Sequence, residues 1–68
     1  MIVELNGRPI EVAEAATVEA VVGTLEVDPA RRGVAVAVDA EVIPRSEWSR
    51  RRLDDGARVE VLIAMQGG

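Results

Sequence analysis

Only one stretch of this chain repeats its apolar residues at the helical period. Val18, Val21, Val22 and Leu25 stand at i, i+3, i+4 and i+7, which places them on one face of an α-helix of two to three turns. The other apolar segments are short and strand-like. A lone helix covers one face of one small sheet, and 68 residues are too few to divide into two cores. The expectation is therefore a single α+β domain: a mixed sheet of four to five strands with one main helix packed on one face.

The order of elements narrows the topology. Met1, Val3 and Leu5 alternate onto one side of a first strand, and Asn6-Gly7 supplies a tight hairpin turn. Arg8 to Val12 returns as a strand whose Pro9, having no N–H to donate, belongs at a sheet edge. Thr17 is the N-cap of the helix, Glu19 suits its dipole, and Asp28-Pro29 ends it. After a loop at Arg31-Arg32-Gly33, Val34 to Val38 reads as a strand with Val on one face and Ala on the other. It turns at Asp39-Ala40-Glu41 into a short strand at Val42-Ile43 that Pro44 stops. Ser46-Glu47-Trp48 reads as a single helical turn capped by Ser46. Leu53-Asp54-Asp55-Gly56 is a turn, and Arg58 to Ala64 is a last strand with Val59, Val61 and Ile63 inward. Placing the first and last strands side by side in the middle, with a right-handed helical crossover, gives a β-grasp.

Few side chains remain for chemistry. The chain has no Cys, no His, no Lys and one aromatic residue, Trp48. That excludes disulfides, structural zinc, a thiol nucleophile, an imidazole base and a Schiff-base amine. Stability must come from packing, and twelve Val and ten Ala make that packing small and β-branched. Asp54 and Asp55 beside Gly56 are turn residues rather than an acid–base pair. No phosphate loop, dinucleotide fingerprint or metal-binding motif is present, so no catalytic residue or metal ligand is assigned.

A net charge of −4 opposes binding to phosphate backbones, and nucleic acid is not an expected partner. The N-terminal Met1-Ile2-Val3-Glu4-Leu5 has no basic lead-in, and apolar runs reach only five residues. Neither a signal peptide nor a membrane span is expected, and a cytoplasmic protein is the default. Residues 45–52 hold Arg45, Arg50, Arg51, Arg52 and one Glu, a local +3 that leaves −7 on the rest. This run reads as a solvated loop whose Arg stems cover apolar surface, with steering towards a partner as the alternative. Trp48 reads as an anchor over the core edge, with a binding hot spot as the alternative.

The side of the sheet away from the helix should be polar. Strand alternation instead sends Ile2 and Leu62 there, beside Ala35, Ala37 and Ala64. With Met65, the residues Ile2, Leu62 and Ala64 form a candidate protein-docking patch, with scattered surface hydrophobes as the alternative. Beyond a β-grasp body at 1–64, residues 65–68 form a flexible tail, Met65-Gln66-Gly67-Gly68. Two residues without Cβ let an extended backbone pass through a channel that any side chain would block. They deliver an α-carboxylate, whose ordinary pKa of about 3.3–3.7 makes it an anion near neutral pH. It can attack a phosphoryl group but resists nucleophiles until another protein activates it.

Val34-Ala35-Val36-Ala37-Val38, Glu41-Val42-Ile43-Pro44-Arg45-Ser46-Glu47-Trp48, Leu53-Asp54-Asp55-Gly56, Val59-Glu60-Val61 and the closing Gln66-Gly67-Gly68 together carry a resemblance over essentially the whole chain. It resembles the ThiS family, the ubiquitin-like sulfur carriers of thiamine biosynthesis. The small subunit of molybdopterin synthase looks similar, but is usually longer and richer in Phe. The resemblance implies that an E1-like, ThiF-like adenylating enzyme uses ATP and Mg²⁺ to convert the Gly68 carboxylate to an acyl-adenylate. Sulfur from a cysteine desulfurase persulfide or another donor then replaces AMP, and a ThiG-like thiazole synthase receives sulfur from the thiocarboxylate. Gln66, Gly67 and Gly68 would be the recognised tail, and the carrier would bind no cofactor and act as substrate rather than enzyme. Supply of sulfur to molybdopterin or another metabolite, or a non-covalent β-grasp interaction module, is the alternative reading.

Gly23 falls on the helix side opposite the valines, where Gly costs about 1 kcal/mol relative to Ala. Gly23→Ala is expected to raise the melting temperature; a lower one would mean that the position serves a close approach.

Overall fold

The computed structural model describes residues 1–27 and 32–64. Its elements run β1 (Ile2–Leu5), β2 (Arg8–Glu11), α1 (Val18–Gly23), β3 (Val34–Val38), β4 (Glu41–Ile43), a 3₁₀ turn (Arg45–Glu47) and β5 (Arg58–Ile63). The strands form one mixed sheet in the order β2-β1-β5-β3-β4. β5 lies in the middle, parallel to β1 through Glu4↔Arg58 and Leu5↔Val59, and antiparallel to β3 from Val34↔Ile63 to Val38↔Val59. This is the β-grasp arrangement anticipated from element order.

Local chemistry accounts for the hairpins. Asn6 and Gly7 take φ values of +49° and +83°, and Asp39 and Ala40 take +49° and +70°. Two successive positive φ values match the right-handed twist of the flanking strands. Immediately after β2, the Val12 N–H donates to the Met1 carbonyl at 2.8 Å. With Val12 bonded inwards, strand alternation turns Pro9 outwards, where its missing N–H removes no ladder bond.

The core forms between the sheet and α1. Val18, Val21 and Val22 of the helix meet Val3, Leu5, Val36, Val38, Val59 and Val61 of the strands, with Ile43, Trp48, Leu53 and Ala57 completing the cluster. No polar or charged residue is buried among the described residues. Trp48 is only 2% exposed, and its indole N–H donates to the Ile43 carbonyl at 3.0 Å, so it is an anchor inside the core and not an exposed hot spot.

Two local expectations need correction. The helix ends at Gly23, short of the two to three turns read from the valine spacing. The Thr24 hydroxyl donates to the Val21 carbonyl at 2.6 Å. The N–H groups of Thr24, Leu25 and Glu26 all reach back three residues instead of four, and Glu26 then takes φ +58°. A competing side-chain bond and a tightened last turn thus stop the helix before Leu25, ahead of any influence from Asp28-Pro29, which lies outside the described residues. The turn at Arg45–Glu47 has Pro44 as its N-cap residue and no side-chain cap, so Ser46 is inside it and does not cap it. Proline's fixed φ opens the turn in place of a hydroxyl. At the helix start the expectation holds: the Thr17 hydroxyl accepts from the Ala20 N–H at 3.2 Å.

A Cβ added at Gly23 meets nothing within 4 Å, so no close approach opposes the substitution considered above. Ala40 presents the reverse case, since an L-residue with a side chain at φ +70° costs about 1–2 kcal/mol. Ala40→Gly is therefore expected to raise stability by about 0.5–1 kcal/mol after the added unfolded-state entropy of Gly is subtracted. Chemical denaturation at constant m-value measures it, and a lowered midpoint contradicts the strain.

Candidate functional site

The site is built on the far side of the sheet from α1 and at the end of its middle strand. Arg58, Glu60, Leu62 and Ala64 project from β5 and its end to that side, since Val59 and Val61 are buried on the other. Pairing sets their neighbours. Glu60 lies opposite Ala37, which lies opposite Val42 on β4, and Leu62 lies opposite Ala35. Val42 and Leu62 are 73% and 72% exposed, and between them Ala35, Ala37 and Glu60 line a shallow depression of about 80 Å³. Two small alanines form its floor because β3 alternates Val inward and Ala outward.

The predicted patch is only partly assembled. Leu62 and Ala64 sit together at the β5 end, and Met65 lies outside the described residues. Ile2 is exposed on the same face but at the other end: its carbonyl accepts from the Gly56 N–H at 2.7 Å. Six residues of extended chain separate Gly56 from Leu62, about 20 Å. The Glu4–Arg58 ion pair, 3.0 Å, stands on the sheet between the two ends. Strand alternation fixes which face a residue occupies, but its height depends on the parallel β1–β5 register, which no local pattern encodes. Val42 takes the place beside Leu62 that Ile2 was expected to fill; its own strand, too short to alternate, hid it.

Three contacts fix where β5 ends. Ile63 pairs with Val34, the Ala64 N–H donates to the Gly33 carbonyl at 2.6 Å, and the Asn6 side chain bonds to both backbone groups of Val61. Gly33 has φ +81°, and a Cβ there would stand 3.2 Å from the Ala64 Cβ. Gln66, Gly67 and Gly68, expected to be the recognised and modified residues, lie outside the described residues.

The other sequence candidates are structural. The Asp55 carboxylate accepts from the Ile2 N–H at 2.8 Å, which ties the 53–56 turn to β1. Among the described residues no acidic cluster is placed to hold a metal ion, and no helix is long and apolar enough to cross a membrane. In the basic run, Arg45 stacks over the Trp48 ring at 4.6 Å and Arg51 reaches Glu41 at 3.4 Å. Its backbone does more: the carbonyls of Arg51 and Trp48 accept from the first helical N–H groups, Val18 at 2.9 Å and Glu19 at 3.0 Å. Those donors have no partner within a helix, so the loop serves as the helix's second cap. Sequence patterns carry no signal for such a backbone contact.

Comparison with known proteins is decisive at this point. The ThiS family model matches residues 3–68, and so extends through the terminal glycines. The chain belongs to the ThiS family. It is similar to the crystal structure of a thiamine biosynthesis protein (ThiS) from Geobacter metallireducens, with 34% identity, a TM-score of 0.78 and full coverage of both chains. A solution structure of a thiamine biosynthesis protein from the same organism gives 33% identity and a TM-score of 0.79 over 100% of this chain and 88% of the other. It is also 34% identical over 64 residues to a thiazole synthase of Paramagnetospirillum magneticum, across 94% of this chain and 19% of that one. The chain thus spans about a fifth of the length of that curated relative. The ubiquitin-like β-grasp is shared with the Geobacter structures.

Gly33→Ala is expected to destabilise by at least about 1–2 kcal/mol, from the left-handed backbone and the tight approach to Ala64 combined. Denaturant midpoints measure it, and an unchanged midpoint contradicts the close packing at the strand end.

Proposed function

We propose that the Gly68 carboxylate is the sulfur-bearing group, activated by an E1-like, ThiF-like enzyme and delivered to a ThiG-like thiazole synthase. The observation that carries this reading is the family match that runs to residue 68, downstream of a strand held at the middle of the sheet. The carboxylate attacks the α-phosphorus of ATP, held with Mg²⁺ on the activating enzyme, and pyrophosphate leaves. The terminal sulfur of a persulfide, from a cysteine desulfurase or another donor, then displaces AMP. Cleavage of the remaining S–S bond by a second thiol leaves the thiocarboxylate. The chain itself has no thiol, imidazole or amine side chain to assist these steps, so its part is to present the carboxylate as a substrate in the cytoplasm.

Presentation has two components in this reading. Four residues follow Ala64, and fully extended they reach at most about 14 Å from the strand end. Any enzyme that holds Gly68 therefore stands against the neighbouring surface, where Leu62 and Val42 are the large exposed apolar groups. Those two residues, with Ala35, Ala37 and Ala64, are the proposed docking patch. The similarity to part of a thiazole synthase supports the acceptor assigned here.

The test is the intact mass of the full chain after incubation with a ThiF-like enzyme, ATP, Mg²⁺ and a persulfide donor. A sulfur-for-oxygen increase located at Gly68 is expected; deletion of Gly68 should abolish it without changing the fold. Leu62→Asp should remain folded, because the side chain is exposed, and should weaken docking by about 1–3 kcal/mol, read as a raised KM for the carrier. No mass change under any donor overturns the carrier reading, and an unaltered KM in Leu62→Asp removes the patch.

A further inference from the structure

β1 and β5 part company before β5 ends. Their parallel pairing stops at Leu5↔Val59, because Asn6 turns away at φ +49°, whereas β5 continues to Ile63. The edge of β5 that faced β1 would be bare from that point on. Asn6 fills it. Its backbone N–H donates to the Val59 carbonyl at 2.9 Å. Its side-chain Oδ1 accepts from the Val61 N–H at 2.8 Å, and its Nδ2 donates to the Val61 carbonyl at 3.2 Å. One backbone donor and one backbone acceptor, both on Val61, fix which end of the carboxamide is oxygen and which nitrogen.

The carboxamide thus stands in for a strand residue. It offers a donor and an acceptor side by side, as a peptide unit does, and it extends the β1 ladder by one step after the backbone has left. Asparagine meets both demands of the position. It tolerates the left-handed backbone of the turn better than most residues with a side chain, and it carries the donor that aspartate lacks and the acceptor that a cation lacks. On the opposite edge, Ile63 pairs with Val34 and the Ala64 N–H is held by the Gly33 carbonyl. With Asn6 on one side and β3 with Gly33 on the other, the end of β5 is clamped along both edges.

We infer that Asn6 is a positioning residue for carrier activation: its side chain fixes the end of β5, the point from which the chain continues to Gly68. The inference rests on the proposed role of Gly68. A carrier whose strand end samples several directions is competent to dock for only a fraction of the time, and its apparent affinity falls by that fraction. Once the tail is seated the chemistry is unchanged.

Two variants of the full chain test this. Asn6→Gly keeps the backbone conformation and removes the carboxamide; Asn6→Asp keeps the acceptor but turns a carboxylate oxygen towards the Val61 carbonyl. Amide hydrogen exchange and ATP–pyrophosphate exchange with a ThiF-like enzyme and Mg²⁺ are measured on each. The expected result is exchange at Val61 and Ala64 faster by about tenfold, the factor equivalent to one net hydrogen bond, with Val3 and Val36 unchanged. The KM for the carrier should rise several-fold at constant kcat. Unchanged Ala64 exchange, uniform acceleration at all four amides, or a KM that does not move overturns the inference. A wild-type chain that supports no pyrophosphate exchange instead overturns the carrier reading, while hydrogen exchange still decides whether Asn6 holds the strand end.

Discussion

Everything in this fold depends on β5 reaching its place between β1 and β3. That strand joins the two ends of the chain: it pairs with Leu5 on one side and with the Val34–Val38 strand on the other, and its Val59 and Val61 lie in the middle of the core. A parallel pair cannot be closed by a hairpin, so β2, α1, β3 and β4 together form the long connection that β1 and β5 require. The chain has no cysteine to form a disulfide, and no polar or charged residue is buried among the described residues. Contacts that are distant in sequence must repay loop closure with buried apolar surface, most of it valine with Leu5, Ile43, Trp48, Leu53 and Ala57. This makes each hydrogen bond that ends a strand cleanly more consequential than it would be in a larger domain.

Much of this was legible because it rests on local rules. Asn6-Gly7 announces its hairpin, Thr17 its helix cap, Pro9 its edge, and the valine alternation of residues 34–38 its buried face. The element count then leaves few topologies, and motifs spread from Val34 to Gly68 carry the resemblance to the ThiS family. What escaped depends on contacts between segments. The early end of α1 comes from a Thr24 hydroxyl competing for the Val21 carbonyl. Ile2 was placed beside Leu62 because both alternate to the same face, although the parallel register sets them at opposite ends. The side chains of the basic run point to a solvated loop, whereas its structural role is carried by the backbone of Trp48 and Arg51, which accepts from the start of α1. Asn6 was read as a turn residue, which it is; its second task, at Val61, lies 55 residues away.

The two faces of the sheet divide the work. Towards α1 the surface is closed and apolar. Away from it, the Glu4–Arg58 pair, with Asp39 accepting from the Arg58 N–H at 3.0 Å, forms a polar stretch that separates Ile2 at one end from an apolar end built of Val42, Leu62 and the alanines of β3. The apolar end is the one where β5 finishes. Glu60 lines the same depression as Val42 and Leu62. In the proposed role, an apolar centre with a charged neighbour suits a transient interface, and its placement beside the strand end links it to residues 65–68.

In the proposed carrier role that linkage is also an energetic requirement. A patch built around two large side chains is far below the area of a stable interface, and a four-residue tail has too few atoms to bind tightly. Each alone would be weak. Joined through a fixed strand end, they act at high effective concentration, because seating one places the other within about 14 Å of its site. A carrier must also leave: it visits an activating enzyme and then an acceptor, and a complex that is tight at either stop would slow the cycle through its off-rate. Two weak contacts held in register satisfy both needs. Affinity then depends less on the size of either contact than on how firmly the end of β5 is held, and this gives the hydrogen bonds at Val61 and Ala64 a significance beyond stability.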